Sequence, residues 1–129
     1  MGRRSLRKTD PNLDLSRHLF VFDQLPRPWD AALLFGRTAP LHVEVGSGKG
    51  LFLRNAAAVE PGCDFLGIEI APKYAHFTAA GLAKRGLENA RVVAGDAQRV
   101  FDELLPDDAL AAVHVYFPDP WWKKRHRKR

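Results

Sequence analysis

Leu41-His42-Val43-Glu44-Val45-Gly46-Ser47-Gly48-Lys49-Gly50 decides the fold. Its first half reads as a strand, three glycines end that strand, and Leu51 to Val59 continues with helix formers and apolar side chains. The same alternation repeats downstream. Pro61 and Gly62 break the helix, Asp64 to Ile70 reads as a second strand, and Pro72 opens a helix that runs to Lys84 and Arg85 and stops at Gly86. Cations in that last turn suit the helix dipole. Arg91 to Ala94 is a third strand leading into Gly95-Asp96, a short helix spans Gln98 to Leu105, and Ala111 to Phe117 is a fourth strand. Four strands alternating with helices predict an α/β fold, a doubly wound parallel sheet with helices on both faces and strand order 3-2-1-4. Such sheets usually have five or more strands, so the remaining strands are expected to be missing from the chain.

Upstream of Leu41 the pattern is different. Residues 1–40 are rich in Arg, Pro and Asp, with apolar clusters at Leu19 to Phe22 and Ala31 to Phe35 but no sustained period. This predicts an N-terminal basic extension that packs only in part.

Length and composition bound the rest. A chain of 129 residues that is 46% hydrophobic holds one modest core. Its longest apolar stretches, Ala31 to Phe35 and Ala109 to Val113, fall far short of a membrane span, and no apolar signal segment follows the basic start. The expected compartment is cytoplasmic. The single cysteine, Cys63, excludes an internal disulfide, and the scattered histidines predict no metal site. Charge is uneven: 20 Lys and Arg face 15 Asp and Glu, yet residues 9–122 hold ten cations against all fifteen acids. The excess sits in Arg3, Arg4, Arg7 and Lys8 and in residues 123–129, as in a protein that meets a phosphate backbone at its ends.

The glycine run carries the first chemical signal. Glycines after a strand allow a tight turn and bring backbone amides near a ligand at a helix N-terminus, so Gly46 and Gly48 are candidate cofactor-binding residues. Their Gly-x-Gly-x-Gly spacing differs by one residue from the dinucleotide pattern and lacks the Gly-Lys-Ser/Thr of a phosphate loop. Glu44 precedes them by two residues. An acid there suits a cationic ligand and would repel a pyrophosphate. The run resembles the first motif of S-adenosylmethionine-dependent methyltransferases. Glu69, ending the second strand, can accept bonds from two ribose hydroxyls. Asp96 can bond an adenine amino group, or serve as a helix N-cap, and the two are compatible.

At the far end stands Phe117-Pro118-Asp119-Pro120-Trp121-Trp122, followed by Lys123-Lys124-Arg125-His126-Arg127-Lys128-Arg129. Two prolines stiffen the backbone around the Asp119 carboxylate. In the predicted strand order Glu44, Glu69, Asp96 and Asp119 line one edge of the sheet.

Through these motifs, residues 41–129 are similar to the bacterial tRNA (guanine-N7)-methyltransferase family, and Arg4-Ser5-Leu6-Arg7-Lys8 is weakly similar to its basic N-terminal segment. The resemblance implies a Rossmann-like class I methyltransferase domain, of which residues 41–129 are the N-terminal part. It implies that Glu44, Glu69, Asp96 and Asp119 contact S-adenosylmethionine and that Asp119 is also the active-site residue. It further implies that Lys123 contacts tRNA and that Arg125, His126, Arg127, Lys128 and Arg129 form the RNA-interaction stretch. Trp121 either stacks on the target base or anchors the core, and Trp122 fills a position that the family leaves variable. The family's C-terminal part, with a substrate-contacting aspartate, is absent from the sequence. Two other readings stay open: a fragment that binds RNA without turnover, and an NAD-dependent oxidoreductase on the same sheet. The expected partner is tRNA, with no membrane and no metal, in a monomer or a homodimer.

Overall fold

The computed structural model describes residues 6–115. Five strands form one parallel sheet: β1 (Leu19–Val21), β2 (Leu41–Val45), β3 (Asp64–Glu69), β4 (Ala90–Ala94) and β5 (Ala112–Val115). Four α-helices accompany them among the described residues, α1 (Ala31–Phe35), α2 (Leu51–Val59), α3 (Pro72–Lys84) and α4 (Ala97–Glu103), with a 3-10 turn at Phe22–Gln24. The strand order is β1-β4-β3-β2-β5. The four strands expected from the sequence therefore lie in the predicted order, with every pair parallel.

The fifth strand, β1, comes from the N-terminal segment, where the sequence pattern predicts none. Three residues are too short to show a period. They are held at the edge of β4 in the register Leu19↔Val92, Phe20↔Val93 and Val21↔Ala94. Just before them, His18 is buried, its carbonyl accepts the Val92 N–H at 2.8 Å, and its Nε2 lies 3.0 Å from the Leu87 carbonyl. Desolvation is the main reason that its pKa lies below the usual histidine value. The following chain makes α1, which Asp30 caps by accepting the N–H groups of Ala32 and Leu33 at 3.0 and 3.4 Å. Arg37 then ties the segment to the buried start of β3, reaching Asp64 Oδ1 at 2.7 Å.

Side chains alternate across the sheet and make two cores. Leu41, Val43, Leu66, Ile68 and Val93 face one side, where Phe22, Leu25, Phe35, Val100 and Phe101 cover them. Phe65, Ala90 and Val92 face the other, under Leu53 and Ala57 of α2 and Ala75, Ala79 and Leu82 of α3. β3 is buried along all six residues, as a central parallel strand should be. Gly67, at its centre, is needed for close packing: a Cβ there would come within 2.5 Å of Leu53 Cδ1 and 3.0 Å of Ser47 Cβ.

Candidate functional site

The carboxyl ends of β2, β3 and β4 bring three of the four predicted acids to one edge. Glu44 is the penultimate residue of β2, Glu69 is the last of β3, and Asp96 follows β4 by two residues. Glu69 pairs in register with Ala94, and its carbonyl accepts the Gly95 N–H at 2.9 Å, so the ends of β3 and β4 are level. Asp119 lies outside the described residues. So do Lys123, Arg125, His126, Arg127, Lys128 and Arg129, together with Trp121 and Trp122.

The loop between β2 and α2 folds on its glycines. Gly46, Gly48 and Gly50 all have positive φ, at 76°, 57° and 84°. Gly50 is doubly constrained, because a Cβ there would also lie 2.6 Å from Thr78 Cγ2. The Gly46 N–H donates to the Ile68 carbonyl at 2.8 Å, which closes the turn over β3. Thr78 of α3 donates its hydroxyl to the Gly48 carbonyl at 2.9 Å. No side chain caps the N-terminus of α2, where Gly50 is the N-cap, so the cap itself supplies no acceptor for the first amides.

The acids sit differently in this frame. Glu44 is 1% exposed, its Oε1 has no hydrogen-bond partner, and burial together with the nearby Glu69 charge pushes its carboxyl up to about 8. A neutral carboxyl at physiological pH is what a buried acid adopts when no cation is present. Glu69 is also buried, but both of its oxygens are engaged: Oε1 accepts the Gly48 N–H at 2.7 Å and Oε2 the Ala71 N–H at 2.9 Å. It clamps the glycine loop, and each oxygen keeps a second lone pair. Asp96 is exposed and caps α4, with Oδ1 accepting the Gln98 N–H at 2.9 Å.

A cavity of about 620 Å³ opens beside the loop, lined by Glu44, Gly46, Ser47 and Gly48 and, along α2, by Phe52 and Asn55. Glu69 and Asp96 lie outside its lining. Three residues that sequence reasoning missed also belong here. The Ser47 hydroxyl is buried without a partner, Thr78 supports the loop, and Ile70 is 69% exposed beside Glu69. Ser47 could have been suspected inside Gly-x-Gly. Thr78 could not, since 30 residues separate it from the loop it holds.

Residues 38–129 match a family described as "Putative methyltransferase". The chain belongs to this methyltransferase family. Among its curated relatives, a tRNA (guanine-N(7)-)-methyltransferase from Rhodopirellula baltica is 52% identical over the whole chain and 49% of its own length. One of the same name from Paracidovorax citrulli is 44% identical over 85% of the chain and 44% of its own length. The chain thus spans about half the length of these relatives. A solved 30S ribosomal A1408 methyltransferase from an uncultured bacterium superposes with a TM-score of 0.55 at 20% identity, covering 68% of the chain and 42% of that structure. The family's Rossmann-like fold is therefore that of this sheet.

Proposed function

We propose that the protein transfers the methyl group of S-adenosylmethionine to N7 of a guanine in the variable loop of tRNA. The observation that carries the cofactor assignment is the buried Glu44 carboxyl with its partnerless Oε1 under a glycine loop. A cationic ligand would restore its charge and supply the missing partner. The residues fit that cofactor. Glu44 would take its charged methionine end, Gly46 and Gly48 would bring backbone amides close, and Glu69 would use its remaining lone pairs for the ribose hydroxyls. Asp96 has Oδ2 left, which would accept from the adenine amino group, and exposed Ile70 would offer the ring an apolar surface. When bound, S-adenosylmethionine supplies an electrophilic methyl on a sulfonium. The tRNA substrate rests on the relatives' shared activity, and it implies a cytoplasmic enzyme.

Guanine N7 already holds a lone pair, so no residue has to remove a proton before attack. The protein's work is placement and charge stabilisation. Asp119 holds the guanine through its N–H edge and favours the positive charge that the purine acquires. Lys123, Arg125, His126, Arg127, Lys128 and Arg129 hold the RNA backbone. Methyl transfer from labelled S-adenosylmethionine to unmodified tRNA tests this in the full-length protein. Asp119→Asn should lower the rate at least about 100-fold, the scale on which removing one transition-state interaction acts, while changing cofactor affinity little. Equal rates would overturn the assignment of Asp119, and no transfer by the wild-type protein would overturn the function.

A further inference from the structure

The count of ten cations against fifteen acids between residues 9 and 122 suggests a body with no polyanion-binding face of its own. The fold changes that. Among those ten, Arg17, Arg27, Arg37 and Arg99 form ion pairs with Glu88, Asp23, Asp64 and Glu103. Arg91 is buried and donates to the Glu88 and Ala90 carbonyls. Five are left without a carboxylate among the described residues: Lys49, Arg54, Lys73, Lys84 and Arg85. Four of these five converge, with Arg7 and Lys8, on one cavity of about 340 Å³ between the N-terminal segment, α2 and α3. One acid lines it, Asp10, whose Oδ1 is already used by the Asn12 N–H.

Two of these cations meet over one turn of α3. A Cβ at Gly81 would fall 3.4 Å from Arg85 Nη1 and 3.5 Å from Arg54 Cδ, ordinary contact distances, so an arginine from α2 and the one that caps α3 both reach this turn. Arg85 Nη1 also donates to the Gly81 carbonyl at 3.1 Å, which holds the guanidinium against the helix. The dipole of α3 accounts for cations at Lys84 and Arg85, but it does not explain Lys49, Arg54, Arg7 and Lys8, which come from three other parts of the chain. Six like charges in one concavity repel each other, and a chain of phosphates relieves that repulsion. Phe77 and Leu13 add an apolar surface to the same cavity, against which a sugar or base can rest.

We infer that this cavity is a second contact surface for the phosphate backbone of the RNA substrate, separate from the basic stretch at residues 123–129. Lys49 belongs to both the cavity and the glycine loop, so the surface begins at the cofactor crevice and runs outward across α2 and α3. The inference rests on the proposed tRNA substrate, and its test keeps the two apart.

The test is tRNA binding by the full-length protein across a salt series, comparing wild type with Arg54→Gln/Lys84→Gln/Arg85→Gln. Removing one cation–phosphate pair should make the slope of log K against log salt shallower by about 0.7 to 0.9, and affinity of the triple variant at about 0.1 M salt should fall at least about tenfold. S-adenosylmethionine affinity should stay unchanged. Arg99→Gln, a control on the opposite sheet face, should leave the slope as in wild type. An unchanged slope in the triple variant overturns the inference, and so does an equal loss of cofactor affinity, which would mean that these cations act on the glycine loop. If the wild-type protein binds tRNA with a steep slope, the variant flattens it, and no methyl transfer occurs, the surface stands and the proposed reaction falls. Methyl transfer by wild type with an unchanged slope in the variant removes the surface alone.

Discussion

The two faces of the sheet are covered by chain of opposite character. On one, α2 and α3 pack through Ala57, Ala75 and Ala79, small residues that bring helices close and put the glycine loop over Gly67. On the other, an aperiodic N-terminal segment supplies Phe22, Leu25 and Phe35 beside Val100 and Phe101. Close packing sets the geometry of the loop, whereas bulky side chains from an irregular segment supply buried area. A segment with no regular period can therefore be as much a part of the core as a helix. The largest expected effect tests this. Phe22→Ala should lower the unfolding free energy by about 3 to 5 kcal/mol in denaturant titration. Leu33→Ala, in the same segment but 75% exposed, should change it by less than about 0.5 kcal/mol. Near-equal effects would make the segment an appendage.

This difference also separates what could be read in the sequence from what could not. Strands β2 to β5 announce themselves by apolar runs between glycine and proline breaks, so their order and the shared edge of Glu44, Glu69 and Asp96 follow from chain topology. β1 does not announce itself. Its pairing with β4 crosses some 70 residues, and His18, which secures it, is an isolated histidine in sequence. Residue identities suggest ligands for Glu44 and Glu69, but only the fold shows that one has a buried oxygen without a partner and the other is a clamp. The cationic cavity is hidden for the same reason, since its members lie in four separate stretches of chain.

The next effect is a gain in stability at the loop face. A carboxyl pushed up to about 8 in the folded protein, from 4.5, keeps its proton across a pH range where the unfolded chain releases it. The folded state therefore loses stability as pH rises through that window. Glu44→Gln removes the titration while keeping the shape. It should be close to neutral near pH 4.5 and stabilising by on the order of 2 kcal/mol at pH 8, the nearby Glu69 charge adding to the wild-type penalty. The same change should weaken S-adenosylmethionine binding. A stability difference that stays flat with pH would show that Glu44 ionises freely, and that its burial serves the fold and not a cation.

The smallest effect compares two capping aspartates, one from each region. Asp30 accepts two amides at the start of α1, and Asp96 accepts one at the start of α4. Either changed to alanine should cost about 1 kcal/mol of stability, because each leaves amide donors of a short helix without an acceptor. The binding readout should divide them. Asp30→Ala should leave S-adenosylmethionine affinity unchanged, while Asp96→Ala should weaken it several-fold, since only Asp96 stands at the edge shared with Glu44 and Glu69. Asn at either position keeps the capping oxygen and should recover most of the stability. At position 96, however, an Asn that caps through its oxygen puts an NH2 donor where Oδ2 stood, facing the adenine amino group, so stability should return without the affinity. Equal affinities for Asp30→Ala and Asp96→Ala would reduce Asp96 to a cap and leave Glu44 and Glu69 as the acids that define the crevice.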